Sequence, residues 1–280
     1  MRLRSLLFVP GDRPDRMEKA LSSGADALIL DLEDSVLPPN KPAARQAVAG
    51  FLVRPRTLPL FVRVNALGAQ TDADLAAVVP RDPDGIVLPK AEGAASLADL
   101  DRRLTALGDK RAAILPIATE TPKAIFALGS YGGVTPRLCG LSWGAEDLPA
   151  AIGATTAREA DGSFTQPYEM VRALTLFGAH AAQVPAIETV YPSFRDEAGL
   201  ASYAARGKRD GFSGMLAIHP TQVAVINAAF TPSADEIAWA ERVVAAFARN
   251  AGAGAIELDG RMLDAPHHKL AQILLDQTHS

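Results

Sequence analysis

The chain repeats one pattern, in which a short apolar run rich in β-branched residues is followed by a longer stretch with helical or turn character. Between residues 3 and 219 the pattern occurs often enough to predict eight strands. The predicted strands span 3–9, 27–33, 60–65, 85–90, 113–119, 138–144, 184–190 and 214–219. Strands that alternate with helices are typical of a parallel sheet. Eight such units predict an α/β fold, a closed (β/α)8 TIM barrel.

An open doubly wound sheet is the competing architecture, and its usual signature is absent. A G-x-G-x-x-G turn should follow the first strand of a dinucleotide-binding sheet, whereas this chain continues from its first apolar run into Pro10 and Gly11. The next residues predict a helix over 13–23, with Asp12 as its N-cap and Gly24 as its stop. Further helices are predicted over 41–52, 71–78 and 96–107.

The residues beyond the eighth unit do not continue the barrel pattern. They predict a helix over 235–250, a flexible break over 251–254, an extended or hairpin segment over 255–263 and a final helix over 266–275. We therefore expect two parts. Residues 1–229 form the TIM barrel catalytic domain, and residues 230–280 form a C-terminal helical and hairpin appendage that packs on a neighbouring subunit.

Composition excludes several classes of function. The 280 residues are 48% hydrophobic and 21% charged, with a net charge of −4, a pI near 5.8 and no cluster of basic residues, so no nucleic-acid surface is predicted. Cys139 is the single cysteine, which excludes an internal disulfide and predicts a reducing compartment. No apolar run approaches the roughly 20 residues that span a bilayer, and Pro10 interrupts the first one. We expect a cytoplasmic protein with no membrane partner.

Two predicted strands end close to carboxylates. Glu120 follows the fifth strand and Asp147 the sixth, and functional residues of a TIM barrel collect at the C-terminal ends of its strands. Adjacent strands lie about 4.8 Å apart, so both carboxylates could bind one ion, and oxygen ligands favour Mg²⁺ or Mn²⁺ over zinc. Two alternatives stay open: either acid could simply favour a helix N-terminus, and Glu146 could replace Asp147 as the ligand.

Charged residues of the second, third and fourth strands belong to the same end of the barrel. Asp31 and Glu33 lie on one side of the second strand and would repel each other unless a cation, a water network or a basic group relieves them, which predicts a shell around a metal. The alternative is a strand end that faces solvent. Arg63 is predicted to bind a substrate carboxylate, or to pair internally with Asp31, Glu33 or Glu120. For Lys90 a charge partner is favoured over a Schiff base, which would need a lowered amine pKa.

The chain resembles a known family in motifs that occur in order from Arg4 to about Leu275. The motifs are RSLLFVPG at 4–11, DLEDS at 31–35, RVN at 63–65, LPK at 88–90, ET at 120–121, GAEDL at 144–148, IHP at 218–220 and GRMLDAP at 260–266. Together they resemble the citrate lyase beta-subunit-like family of the HpcH/HpaI aldolase group, which also contains malyl-CoA and citramalyl-CoA lyases.

The resemblance implies an Mg²⁺-dependent carbon–carbon lyase, or the reverse condensation, with Mn²⁺ as a possible substitute. Its substrates would be a 2-oxo acid such as oxaloacetate, pyruvate or glyoxylate and an acyl-CoA or acyl-carrier thioester. Glu120 and Asp147 would hold the metal, Arg63 would bind the oxo-acid carboxylate, and Asp31 and Glu33 would orient metal-bound waters or ligands. A homo-oligomer is implied, with a trimer favoured.

The resemblance also assigns a residue of the appendage. In malyl-CoA-lyase-like relatives an aspartate from an adjacent subunit is the base, and Asp264 matches its motif; the alternative is that Asp264 only caps the last helix. Within the GAEDL motif, Gly144, Ala145 and Glu146 would contact substrate. Glu188 stands where family members often have Asp, and no catalytic role is assigned to it.

Binding of CoA requires basic residues near the barrel mouth. Arg13, Arg16, Lys41 and Arg45 follow the first two strands and are the predicted contacts, although such residues on helices are usually only solvated. Two other functions remain open. The chain could be a non-catalytic acyl-CoA or oxo-acid binding subunit of a complex, or a hydroxyacyl-CoA thioesterase.

Overall fold

A computed structural model of the protein describes residues 2–250 and 252–278. Its main feature is a sheet of eight parallel strands in the order β5-β4-β3-β2-β1-β8-β7-β6. The strands are β1 (Ser5–Pro10), β2 (Ala27–Asp31), β3 (Leu60–Arg63), β4 (Gly85–Leu88), β5 (Ala113–Pro116), β6 (Leu141–Ser142), β7 (Ala186–Glu188) and β8 (Gly214–Ala217). The helices between and after them are α1 (Pro14–Ala20), α2 (Lys41–Leu52), α3 (Ala69–Val78), α4 (Ala94–Ala106), α5 (Pro122–Ala127), α6 (Leu148–Ile152), α7 (Gln166–Ala181), α8 (Glu197–Asp210) and α9 (Pro220–Phe230).

The two ends of this sheet meet, so the sheet closes into a barrel. Parallel bridges join Ile114 to Leu138 and Ile117 to Ser142, which brings the β5 and β6 edges together. The amide of Ala118 donates to the carbonyl of Ser142 at 2.9 Å across the same seam. The predicted (β/α)8 TIM barrel is therefore confirmed.

Side chains from the strands fill the barrel interior. The buried cluster comprises Leu6, Ala27, Ile29, Phe61, Val87, Leu115, Ile117, Ile187 and Leu216. Gly85 stands beside Phe61 in the β3–β4 register, and a Cβ at this glycine would lie 2.2 Å from Phe61 Cε1. The large ring on one strand is accommodated because its neighbour has no side chain.

Strands β2 to β8 end two or three residues earlier than the sequence predicts, and the reason is visible at β2. The predicted strand runs to Glu33, but β2 ends at Asp31. The Asp31 carboxylate accepts hydrogen bonds from the amides of Glu33 and Ser35, at 2.9 and 3.1 Å, which turns the chain out of the sheet. Similarly β4 ends at Leu88, and Lys90 adopts a positive φ of 51°. Chemically important residues thus lie mostly in the loops after the strands.

The first helix begins later than predicted. Helix α1 starts at Pro14 with Arg13 at its N-cap, so the assignment of Asp12 as the cap is wrong. Proline is favourable in the first helical turn because its missing N–H would have no partner there. The other predicted barrel helices, over 41–52, 71–78 and 96–107, correspond to α2, α3 and α4 with ends that differ by at most two residues.

The residues after the barrel, together with Arg2, form a second compact unit from Ala229 onward. It contains α10 (Ala234–Arg249), the antiparallel hairpin of β9 (Ala255–Leu258) and β10 (Arg261–Asp264), and α11 (Ala265–Asp276). Its own buried cluster comprises Ala240, Val243, Ala246, Ile256, Leu263 and Ala271. The packing of this appendage on a neighbouring subunit stays a prediction.

Within the described residues, no helix is both long and apolar enough to cross a membrane.

The contact between Gly85 and Phe61 leads to a prediction about stability. Gly85→Ala should lower the free energy of unfolding by about 1–3 kcal/mol, because the added methyl overpacks the barrel interior. The matched control is Gly50→Ala in α2, where a Cβ meets nothing within 4 Å. That change should stabilise the protein by about 0.5–1 kcal/mol. Urea denaturation measures both, and equal effects of the two substitutions would contradict the packing argument.

Candidate functional site

A cavity of about 330 Å³ opens at the C-terminal ends of the barrel strands. Its walls combine charged groups with apolar side chains, a combination that suits a small organic acid and its metal ion. The lining residues are Phe8, Pro10, Arg16, Asp31, Asp34, Ser35, Arg63, Ile117, Glu120, Trp143, Gly144, Ala145, Glu146, Asp147, Thr189, Val190, Leu216 and Ile218.

Arg63 and Asp31 form a bidentate ion pair at one side of this cavity. Both donor–acceptor distances, from Nε to Oδ1 and from Nη2 to Oδ2, are 2.7 Å. Burial raises the pKa of the Asp31 carboxyl, but the hydrogen bonds and charge of Arg63 lower it more, so the net shift is downward. The guanidinium also lies over the Phe8 ring, 4.8 Å from its centroid. The predicted internal pairing exists, and Arg63 still lines the cavity.

Glu33 connects this ion pair to Lys90. Its Oε2 lies 2.9 Å from Arg63 Nη1, and its Oε1 accepts a hydrogen bond of 2.7 Å from Lys90 Nζ. Burial lowers the pKa of the Lys90 amine, but the carboxylates of Glu33, Glu120 and Asp147 raise it by more, so the pKa lies above its usual range. Lys90 therefore carries a charge in this site, which agrees with a charge partner and disagrees with a Schiff base.

Glu120 is only 7% exposed and lies between the barrel and the loop after β6. Its Oε2 accepts from the backbone amide of Lys90 at 2.5 Å. A Cβ on Gly144 would lie 3.1 Å from Glu120 Cγ, so the glycine permits this close approach. Burial, with the nearby negative charges of Glu33 and Asp147, raises the pKa of Glu120 to about 8. The carboxyl is thus placed where a positive charge would stabilise its ionised form.

Asp147 occupies the N-cap position of α6, but its side chain makes no capping hydrogen bond. Its Oδ2 instead lies 3.2 Å from Lys90 Nζ. Thr119 holds the start of the same loop, because its hydroxyl both accepts from the amide and donates to the carbonyl of Gly144, each at 3.0 Å. The Asp147 side chain therefore lines the cavity and pairs with Lys90, and it does not cap the helix through a hydrogen bond.

These carboxylates fit a hard divalent cation. Glu120 and Asp147 both line the cavity and provide oxygen ligands, and burial of Glu120 with Glu33 and Asp147 nearby favours a positive charge beside it. Glu33 Oε2 has no hydrogen-bond partner among the described residues, although Arg63 is close to it. The described part of the chain contains no group of three or more His, Cys, Asp or Glu placed to hold a metal. An ion here would keep positions for water or substrate, as Mg²⁺ commonly does.

The four basic residues predicted to contact CoA differ in their surroundings. Lys41 donates to two backbone carbonyls after β2, at 2.8 and 2.9 Å. Arg45 forms an ion pair of 2.7 Å with a buried carboxylate of α3, and Arg13 pairs at the surface with a carboxylate two residues away. Arg16 lines the cavity. CoA binding by these residues stays a prediction, and Arg16 is the best placed of the four.

Asp264 lies at the junction of β10 and α11 in the appendage. It forms a capping box with His267, whose Nδ1 is 2.5 Å from Asp264 Oδ1. That hydrogen bond lowers the pKa of the Asp264 carboxyl. The predicted capping role is thus present in the structure, and the predicted role as a base in a neighbouring subunit stays a prediction.

The apolar wall of the cavity was not predicted from the sequence. Trp143, Val190, Leu216 and Ile218 belong to strands or to the residues directly after them. Their type gives no signal, since apolar residues at such positions usually belong to the core. The signal that could have found them is their position at or beside the predicted strand ends, the same positions that pointed to Arg63 and the carboxylates.

Curated relatives match almost the whole chain. A citrate lyase subunit beta-like protein of Mycobacterium tuberculosis is 37% identical over 272 residues, which cover 96% of this chain and 93% of the relative. An L-malyl-CoA/beta-methylmalyl-CoA lyase of Rhodobacter capsulatus is 31% identical, over 98% of this chain and 94% of the relative. A (3S)-malyl-CoA thioesterase of Cereibacter sphaeroides is 33% identical, over 94% of this chain and 90% of the relative.

Solved structures agree with these matches. The protein CitE of Mycobacterium tuberculosis, in complex with magnesium, acetoacetate and coenzyme A, superposes with a TM-score of 0.84. It is 33% identical and covers 100% of this chain and 99% of its own. A citrate lyase beta subunit of the same organism, complexed with oxaloacetate and magnesium, has a TM-score of 0.70, with 32% identity over 82% of this chain and 98% of its own.

The family model for HpcH/HpaI aldolase/citrate lyase matches residues 4–220, which contain all eight barrel strands and all the cavity-lining residues. The expected resemblance and the expected enzyme class, a lyase of this group, are thereby confirmed. The chain belongs to the HpcH/HpaI aldolase/citrate lyase family.

Proposed function

We propose that this protein is an Mg²⁺-dependent carbon–carbon lyase that cleaves a 3-hydroxyacyl thioester into a 2-oxo acid and a shorter acyl thioester, or condenses the two. One observation carries the proposal. The carboxylates of Glu120 and Asp147 line the same cavity, and Arg63, fixed by Asp31, provides a guanidinium in its wall. This arrangement offers a metal site and an anion site within reach of one small oxo acid.

Glu120 and Asp147 would hold the ion, and Mn²⁺ could replace Mg²⁺ in an all-oxygen site. When bound there, the ion supplies Lewis-acid stabilisation of the negative charge that develops on the oxo-acid oxygen. Asp31 fixes Arg63 through two hydrogen bonds, so that the guanidinium can orient the carboxylate of the oxo acid with little loss of side-chain freedom. Glu33 would orient water or ligand on the metal, and Gly144, Ala145 and Glu146 would contact the substrate.

A base is needed to remove the proton from the α-carbon of the thioester during condensation, and to return it during cleavage. We assign the role of this base to the carboxylate of Asp264 from a neighbouring subunit. The hydrogen bond with His267 lowers the pKa of this carboxyl. The assignment requires a homo-oligomer, for which we propose a trimer.

The choice of substrate class is supported by the complexes of related proteins with magnesium and oxaloacetate, and with magnesium, acetoacetate and coenzyme A. Oxaloacetate, pyruvate and glyoxylate are the oxo acids that we propose, with a short acyl-CoA or an acyl-carrier thioester as the second substrate. We expect the reaction in the cytoplasm, without a nucleic-acid or membrane partner.

A hydroxyacyl-CoA thioesterase is the second candidate. It is favoured by the 33% identity to a (3S)-malyl-CoA thioesterase over most of both chains. The remaining alternative is a non-catalytic acyl-CoA or oxo-acid binding subunit of a complex, which would use the same residues to bind the metal and the anion. Product analysis separates the three.

The first prediction concerns turnover. Purified protein with Mg²⁺, one of the three oxo acids and acetyl- or propionyl-CoA should form a hydroxyacyl-CoA, detected by mass spectrometry, and chelation of the metal should abolish it. Release of free hydroxy acid with free CoA would identify the thioesterase instead. Binding of oxo acid without turnover of any pair would favour the non-catalytic subunit.

The second prediction concerns the metal ligands. Glu120→Gln and Asp147→Asn should each weaken Mg²⁺-dependent oxo-acid binding by at least about tenfold, because each removes one anionic ligand while keeping the side-chain shape. Titration calorimetry measures the dissociation constant. Glu146→Gln is the matched comparison for Asp147→Asn. If Glu146→Gln weakens binding and Asp147→Asn does not, the neighbouring glutamate is the ligand.

The third prediction concerns the shared site. Asp264→Asn and Glu120→Gln subunits should each be inactive alone, and hybrid oligomers should regain part of the activity because some sites combine an intact barrel with an intact appendage. Asparagine preserves the helix cap, so Asp264→Asn separates capping from proton transfer. Native mass spectrometry confirms mixing. Hybrids that contain both subunits and remain inactive would count against a site shared between subunits.

A further inference from the structure

Glu188 is a buried carboxylate to which the reaction proposed above assigns no step. It ends strand β7 and has no solvent-exposed surface. An ionised group in such a position requires a counter-charge and several hydrogen-bond donors. The counter-charge is Arg172 of α7, whose Nε lies 2.7 Å from Glu188 Oε2.

The other oxygen of Glu188 accepts three hydrogen bonds, one from the adjacent residue and two from other segments of the chain. Oε1 accepts from the indole N–H of Trp143 at 2.6 Å, from the hydroxyl of Tyr203 at 2.8 Å and from the amide of Thr189 at 3.0 Å. Short hydrogen bonds to a charged acceptor are stronger than those between neutral groups. Glu188 therefore ties the end of β6 to the end of β7 and to helix α8.

The contact with Trp143 leads directly to the cavity. Trp143 forms part of the cavity wall and is the first residue of the loop after β6, the loop that carries Gly144 and Asp147. Thr119 holds Gly144 from the β5 side with two hydrogen bonds. Glu188 holds Trp143 from the β7 side, so the loop is fixed at its start from both directions.

We propose that Glu188 is a positioning residue, which fixes the Trp143 indole and thereby the loop over 144–147 for binding of the metal and the oxo acid. The inference rests on the proposed function and extends it to a group that does not touch the substrate. A carboxylate is required because donors approach both of its oxygens; an amide would turn its NH₂ toward one of these donors.

Helix α8 provides a matched control. Trp143→Phe and Tyr203→Phe each remove one donor from the same Glu188 oxygen and keep an aromatic ring. Trp143 begins the loop that carries Asp147, whereas Tyr203 lies on α8 and outside the cavity wall. A purely structural role would make the two substitutions equivalent, and a positioning role would not.

The experiment measures Mg²⁺-dependent pyruvate and oxaloacetate binding by calorimetry, and melting temperature, for the full chain. Trp143→Phe and Glu188→Gln should each weaken binding by about tenfold, the effect of losing one hydrogen bond to a charged group, and Tyr203→Phe should leave it unchanged. The double variant Glu188→Gln/Trp143→Phe should bind no more weakly than the weaker-binding of the two single variants, because both changes break the same contact. Equal weakening by both aromatic substitutions, additive effects in the double variant, or unchanged binding in Trp143→Phe would overturn the proposal.

Fluorescence gives a second readout that needs no ligand. The chain has two tryptophans, so a Trp239→Phe background leaves Trp143 as the single emitter. Glu188→Gln in this background should shift Trp143 emission to the red and increase its quenching by acrylamide, and Tyr203→Phe should do neither. Unchanged emission and quenching in Glu188→Gln would overturn the proposal. If the wild-type protein binds no oxo acid, the proposed function has failed, and the fluorescence result alone decides whether Glu188 holds Trp143.

Discussion

The arrangement of the site depends on how the barrel accommodates buried charge. Arg63 lies at the end of β3 and makes two hydrogen bonds of 2.7 Å with Asp31, which is 1% exposed. Removing Arg63 would leave Asp31 as a buried charge without its counter-charge, a change that is strongly destabilising. The pair is therefore fixed, and Glu33 extends it by contacting both Arg63 and Lys90. The rest of the cavity is built around this chain of alternating charges.

Glu120 and Asp147 stand at the other end of that chain. Lys90 reaches Asp147 through its ammonium group and Glu120 through its backbone amide. Burial is the main cause that raises the pKa of Glu120 to about 8; the negative charges of Glu33 and Asp147 add to it, and Lys90 acts against it. A divalent cation would stabilise the ionised form of this buried carboxyl, and Arg63 would remain in place to bind a carboxylate. Charge compensation thus connects the stability of the barrel end to the proposed chemistry.

Much of the fold was predictable because it depends on local pattern. Eight apolar runs predicted eight strands, and the helices over 41–52, 71–78 and 96–107 were placed to within two residues. Strand ends were less predictable, since they depend on side chains that capture the backbone. Asp31 ends β2 by accepting two backbone amides, and the same carboxylate binds Arg63. A sequence pattern shows that an acidic residue is present but not which hydrogen-bond donors lie near it.

The sequence by itself determined the architecture and the types of group at the barrel mouth, because hydrophobic periodicity and the positions of charged residues after the strands are properties of the linear chain. Tertiary structure alone decided which groups meet. It brought the Lys90 ammonium to Glu33 and Asp147, and it gave Lys41 and Arg45 partners within the barrel. It also placed Trp143, Arg172 and Tyr203 in contact with Glu188. Lys41 bonds carbonyls 8 and 9 residues away, and the other partners are 15 to 57 residues apart in the chain. The physical reason is that hydrogen bonds and ion pairs act over about 3 Å, so only the folded chain brings such distant residues together.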